Sequence, residues 1–192
     1  MKNTKILVEG AVMVALATVL SFIRVFKLPW GGSITLLSML PIALFSIKRG
    51  VECGLIVSFL FSLIQFFQGV MDGLFGWGLS PLMLIACILL DYIFAFTVLG
   101  LAGIFRKKGL VGWILGISLA IGLRFFVHFL SGVVIWQSFG DLWEGFSTEN
   151  SVVYSLLYNG CYMLPELIFT LIAAVALLKV PQTKKLLLGE EN

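Results

Sequence analysis

Charge is scarce in this chain. Asp, Glu, Lys and Arg make up 12% of its 192 residues, about half the share typical of a soluble domain, which excludes an ordinary water-exposed globular protein. Alternating segments of ~10 residues, the mark of a membrane β-barrel, are missing too. The three cysteines, Cys53, Cys87 and Cys161, fall within apolar runs without paired spacing, so neither a disulfide framework nor a cysteine metal site is indicated. No GxxxxGK[ST] loop is present to cradle the phosphates of ATP, and no HExxH metal motif. In "HFLSG" a serine follows the single histidine by three residues, without a carboxylate beside the pair in sequence. The nucleophile–base–orienter arrangement of a hydrolase is therefore not evident, and nothing else marks an enzyme.

What is present is apolar length. Hydrophobic residues make up 60% of the chain, and several runs reach the ~20 residues that cross a bilayer as helix. The expectation is a single all-α integral membrane domain over residues 1–192. Its six transmembrane helices fall at about 6–26, 35–47, 51–70, 81–105, 110–137 and 151–178. The first run is too long, and Ser21–Phe22–Ile23 too poor a cleavage site, for a signal peptide. The second is short, contains Pro41 and follows the turn-rich "KLPWGGS"; Lys27 to Ser33 is a plain connector or a lid. Lys2, Lys5, Lys48, Arg49, Arg106, Lys107, Lys108, Lys179, Lys184 and Lys185 collect on one side of such a bundle. That excess predicts a multi-pass protein with both termini in the cytoplasm.

Ionisable residues inside spans mark interiors and cavities; here they are Asp91, Arg124, His128 and Glu166. At ~1.5 Å rise per residue, Asp91, His128 and Asn159 share one level in the outer half, on three helices. Arg124, His128, Gly132 and Trp136 form an i, i+4 stripe, as do Tyr154, Tyr158, Tyr162 and Glu166, and Tyr92 adjoins Asp91. Together they predict an aromatic-walled pocket holding an anion, suited to a flat cation that rings attract by stacking and cation–π contact. Other roles compete. Trp77 and Trp143 are expected in the interfacial belt, and Trp136 fits belt and pocket equally. Arg124 is expected to pair with Glu166, or else with Asp91. Ala11 and Ala15, four apart in "AVMVA", allow close helix approach, within the chain or to another protein.

The stretches "LLDYIFAFTVLGLAG", "LRFFVHFLSGVVIWQSFG", "VVYSLLYNGCYMLPE" and "LPIALFSIKRG" resemble the thiamine-specific S-components (ThiT/YuaJ family) of energy-coupling-factor (ECF) vitamin transporters. The resemblance extends over nearly the whole chain. It implies an S-component-like bundle in a bacterial cell membrane that captures thiamine from outside without altering it. Asp91 matches the acidic residue beside the cationic rings, often Glu in the family. Tyr92 matches a tyrosine near the hydroxyethyl end, His128 and Trp136 match ring contacts, and Gly132 matches a backbone contact. Tyr154 and Asn159 match groups bonded to the aminopyrimidine. The first loop departs from the pattern. Trp30 lies near the lid tryptophan's place but offset by about two residues, with Gly32 at the matching position, and Leu36 stands where a Glu can occur. The resemblance also implies that Ala11 and Ala15 dock a transmembrane coupling subunit, with two ATPase subunits binding the ATP and no cofactor on this chain. Rival expectations are an S-component for another vitamin or a pyrimidine precursor, a proton-coupled carrier using Asp91 and His128, and a non-transporting scaffold.

Overall fold

The computed structural model describes residues 2–28, 31–138, 140–143 and 146–188. The chain runs α1 (Lys2–Phe22), β1 (Arg24–Lys27), β2 (Ser33–Thr35), α2 (Leu40–Arg49), α3 (Val51–Met71), α4 (Pro81–Gly103), α5 (Arg106–Trp136), β3 (Gly140–Trp143), β4 (Phe146–Thr148), α6 (Ser151–Lys179) and α7 (Pro181–Leu188). Among the described residues, five helices are long and apolar enough to cross a membrane: Thr4–Phe22, Val51–Met71, Pro81–Gly103, Arg106–Trp136 and Ser151–Lys179.

The second expected span, 35–47, is a helix, but it starts later and is shorter than expected. Ser33–Thr35 is a strand, and the helix begins only at Leu40, with Pro41 in its first turn where a missing N–H costs nothing. Ten residues reach about 15 Å, half of a ~30 Å hydrocarbon core. So short a helix survives at membrane depth because protein surrounds it: every residue from Leu40 to Ile47 is buried, packed by α1, α3 and the end of α4. The Ser46 hydroxyl donates to Gly100 O (2.5 Å) and accepts from Gly103 N–H (3.0 Å). Lys48 and Arg49, at the helix C-terminus, reach Glu9 of α1 at 3.3 and 2.5 Å.

The first span also ends earlier than 26, because Arg24–Lys27 pairs antiparallel with Ser33–Thr35. This β1–β2 hairpin stands where a plain connector or a lid is expected. Ser80 caps α4, its hydroxyl accepting Met83 N–H (3.4 Å) ahead of Pro81. Asn150 caps α6, its side-chain oxygen accepting from Val152 (2.9 Å) and Val153 (3.3 Å).

Two of the long helices are irregular. Ile88–Phe94 within α4 and Gly132–Trp136 at the end of α5 wind as π-helix, with i→i+5 bonds such as Gln137 N–H to Gly132 O (2.9 Å). Such wide turns cluster at functional sites because they re-aim side chains. Here they carry Asp91, Tyr92, Gly132 and Trp136.

Candidate ligand-binding site

The helix ends and the β1–β2 hairpin enclose one cavity of about 150 Å³. Every expected pocket residue within the described chain lines it: Asp91, Tyr92, His128, Gly132, Trp136, Tyr154 and Asn159. Trp30 lies outside the described residues. Ala11 and Ala15 are elsewhere, exposed on the outer face of α1.

Asp91 is the hub of the cavity wall. One carboxylate oxygen meets His128 Nδ1 at 3.1 Å. The other accepts from the Ser131 hydroxyl (2.6 Å), Trp136 Nε1 (3.1 Å) and the Cys87 thiol (3.3 Å). The π-turn of α4 turns Asp91 toward α5, and that of α5 brings Trp136 back over it. His128 Nε2 accepts from Arg124 Nε at 3.4 Å, so its lone pair is on Nε2 and its N–H points from Nδ1 to Asp91. The carboxylate is thus held by four donors in a wall that also carries the Arg124 guanidinium, with Arg24 and Asp72 at the hairpin side.

The rings line up along α6. Tyr154 and Tyr158 stack with centroids 6.1 Å apart and planes 13° apart, and Tyr162 meets Tyr158 edge-on at 5.9 Å. Tyr162 also meets His128 edge-on at 6.3 Å and donates its hydroxyl to Asn159 Oδ1 (2.7 Å). Asn159 Nδ2 in turn donates to Ser155 O (2.9 Å), which holds the carboxamide rigid at the cavity surface. Gly132 is needed for this closeness: a Cβ there would lie 2.1 Å from Ser155 Oγ. Gly69 does the same for Tyr92, whose hydroxyl would be 2.2 Å from an added Cβ.

Three expectations about pairing and placement are corrected. Arg124 forms no ion pair with Glu166 or Asp91 among the described residues. Its guanidinium lies 4.1 Å from the centre of the Phe96 ring and donates to Met39 Sδ (2.9 Å). Glu166 is taken instead by the hairpin, accepting the Thr35 N–H and, at 2.6 Å, the Thr35 hydroxyl. Trp77 lines the cavity, its ring 5.5 Å from Trp136, where an interfacial belt was expected. The hairpin roofs the site. Gly32 N–H donates to Tyr158 OH (3.1 Å), and Asp72 at the end of α3 holds Arg24 (2.7 Å) and Lys27 (3.1 Å).

Sequence reasoning passed over Gln65, Gln68 and Ser21, which line the cavity, and weighed Ser131 only as a nucleophile, whereas it donates to Asp91. The signal for the glutamines was there: two polar side chains three residues apart in a span facing the same side.

The thiamine transporter protein family model (Thia_YuaJ) matches residues 7–186. A thiamine transporter ThiT of Bacillus subtilis is 33% identical over 180 residues, covering 84% of each chain. A ThiT of Lacticaseibacillus paracasei is 27% identical over 197 residues, covering 93% of this chain and 89% of the relative. The solved structure of ThiT from Listeria monocytogenes superposes with a TM-score of 0.71 at 26% identity, over 95% of this chain and 98% of that one. Sequence and fold agree along almost the full length, and the chain therefore belongs to the ThiT/YuaJ family of thiamine transporter S-components, multi-pass membrane proteins that are transporters and not enzymes.

Proposed function

We propose that this chain binds thiamine in the roofed cavity and passes it inward unchanged, as the capture subunit of an ECF-type importer. The observation that carries the reading is the Asp91 carboxylate, fixed by four donors in a wall of aromatic rings. Thiamine joins a permanently cationic thiazolium to an aminopyrimidine. The carboxylate attracts the charge in a low-dielectric site, while Trp136, His128 and Tyr154 stack on or edge the rings. Asn159 and Tyr154 bond the pyrimidine heteroatoms, Gly132 lets the backbone come close, and Tyr92 bounds the hydroxyethyl end.

The coupling partners follow from a different surface. Ala11 and Ala15 are exposed on α1 beside Val8, Val12, Leu16 and Val19, so their smallness serves no packing within this chain. A small-residue face flanked by apolar side chains suits close contact with another membrane helix. We assign it to the transmembrane coupling subunit, with two ATPase subunits supplying the energy. Lys48, Arg49 and Arg106 at one end of the bundle support a cytoplasmic location for that end and for both termini, in a bacterial cell membrane.

Titration of the purified protein with thiamine tests the binding reading. Trp77 and Trp136 line the cavity, so saturable quenching of tryptophan fluorescence is expected at micromolar thiamine or below. Absence of quenching and of binding heat overturns it. ATP-dependent thiamine uptake by vesicles containing this chain with coupling and ATPase subunits tests the second part; equal uptake by vesicles with this chain alone refutes it.

A further inference from the structure

A second set of polar side chains, from α1 and α3, lines the same cavity: Ser21, Gln65 and Gln68. Their hydrogen bonds determine which atoms face the ligand. The Ser21 hydroxyl donates its one hydrogen to Thr18 O at 2.7 Å. Toward its other neighbours it can only accept. It receives Gln68 Nε2 at 2.7 Å and Gln65 Nε2 at 3.2 Å, which fixes the nitrogen end of both carboxamides without an arbitrary flip. Gln68 is 5% exposed, and its carbonyl oxygen has no hydrogen-bond partner among the described residues. That oxygen is not among the fully buried, unpartnered side-chain atoms of the described residues, so it is open to the cavity that Gln68 lines, where a ligand hydroxyl can take the place of water.

We infer that Gln68 is a specificity-determining residue: its carbonyl oxygen accepts a hydrogen bond from a hydroxyl on the cargo, and Ser21 is the positioning residue that aims it. Gln65 braces the same serine. The inference rests on the thiamine reading and deepens it. Thiamine carries one hydroxyl, on a flexible two-carbon arm. Its rings match the aromatic side of the cavity, where Asp91 and the tyrosines gather, and the arm is left for the ring-poor corner formed by α1 and α3. Tyr92, pressed against Gly69 next to Gln68, closes that corner.

The test compares thiamine with the analogue whose hydroxyethyl arm is replaced by ethyl, by titration calorimetry on the full-length protein. Wild type is expected to bind thiamine at least tenfold more tightly than the ethyl analogue. Gln68→Met, close in volume but without an amide, should lose about tenfold for thiamine and stay within twofold for the ethyl analogue. Ser21→Ala should lose part of the same discrimination. Equal losses for both ligands would make Gln68 merely structural and overturn the inference. So would a wild type that does not discriminate, a comparison that holds even if the variants fail to fold. Wild type binding both ligands equally sinks only this subsite, whereas wild type binding neither sinks the thiamine assignment with it.

Discussion

Replacing Asp91 by Asn removes one negative charge and almost no volume, which makes it the sharpest probe of the proposed site. The wild-type carboxylate receives His128 on one oxygen and Ser131, Trp136 and Cys87 on the other. An asparagine oxygen in the second position keeps Ser131 and Trp136 satisfied. Its NH₂ then faces the Nδ1–H of His128, donor against donor. Turning the imidazole to its other tautomer only moves the conflict, because Nε2 already accepts from Arg124 Nε. The mismatch is local, at about 1–3 kcal/mol for an unsatisfied polar group, and the bundle should survive it. The effect on the ligand is larger. A cation ~5 Å from a carboxylate at an effective dielectric of ~20 gains about 3 kcal/mol, within the ~2–5 kcal/mol lost when a buried charge pair is broken. Thiamine affinity should fall roughly 30- to 4000-fold. Calorimetry with thiamine and with its uncharged thiophene isostere separates charge from shape, since the isostere should lose far less. A thiamine affinity within twofold of wild type refutes the electrostatic argument, and so does an equal loss for the isostere.

Ala11→Trp should leave thiamine affinity unchanged and abolish uptake by the assembled transporter, as measured with labelled thiamine in vesicles; normal uptake would remove this face from docking. Asp72→Ala frees Arg24 and Lys27 of the hairpin. For partly exposed pairs worth ~0.2–1 kcal/mol each, stopped-flow fluorescence should show thiamine leaving a few-fold faster. Unchanged dissociation would mean that the Gly32–Tyr158 and Thr35–Glu166 bonds hold the roof alone. Gly132→Ala drives a methyl into Ser155 Oγ. The strain should cost ~1–3 kcal/mol and lower the Tm in detergent, and Ser155→Gly in the same chain should restore most of it. An unshifted Tm would show that α5 and α6 can separate freely.

The parts of the site legible in the sequence are those built on straight helix. Tyr154, Tyr158 and Tyr162 recur every fourth residue, and regular α6 presents them as a ladder. The common level of Asp91, His128 and Asn159 followed from rise alone, and the three line one cavity. Where winding changes, the arithmetic fails. Trp136 continues the His128 stripe on paper, but the wide turn at Gly132–Trp136 sets its direction, and this brings its indole N–H onto Asp91. Arg124 and Glu166, opposite charges within spans, suggest a pair. It failed because a non-helical segment, the β1–β2 hairpin, puts Thr35 against Glu166 first. No periodicity announces a three-residue strand.

The two wide turns have a consequence for how such a site changes over time. Each holds one more residue than a straight helix of equal height needs. Excising a single residue between 88 and 94 would relax that stretch to ordinary winding, re-aiming the side chains of the turn while both halves of α4 keep their height and facing. Asp91 would leave its partners while the hydrophobic span stayed long enough for the bilayer. A one-residue deletion inside this membrane helix would therefore redraw the cavity wall and leave the span itself intact.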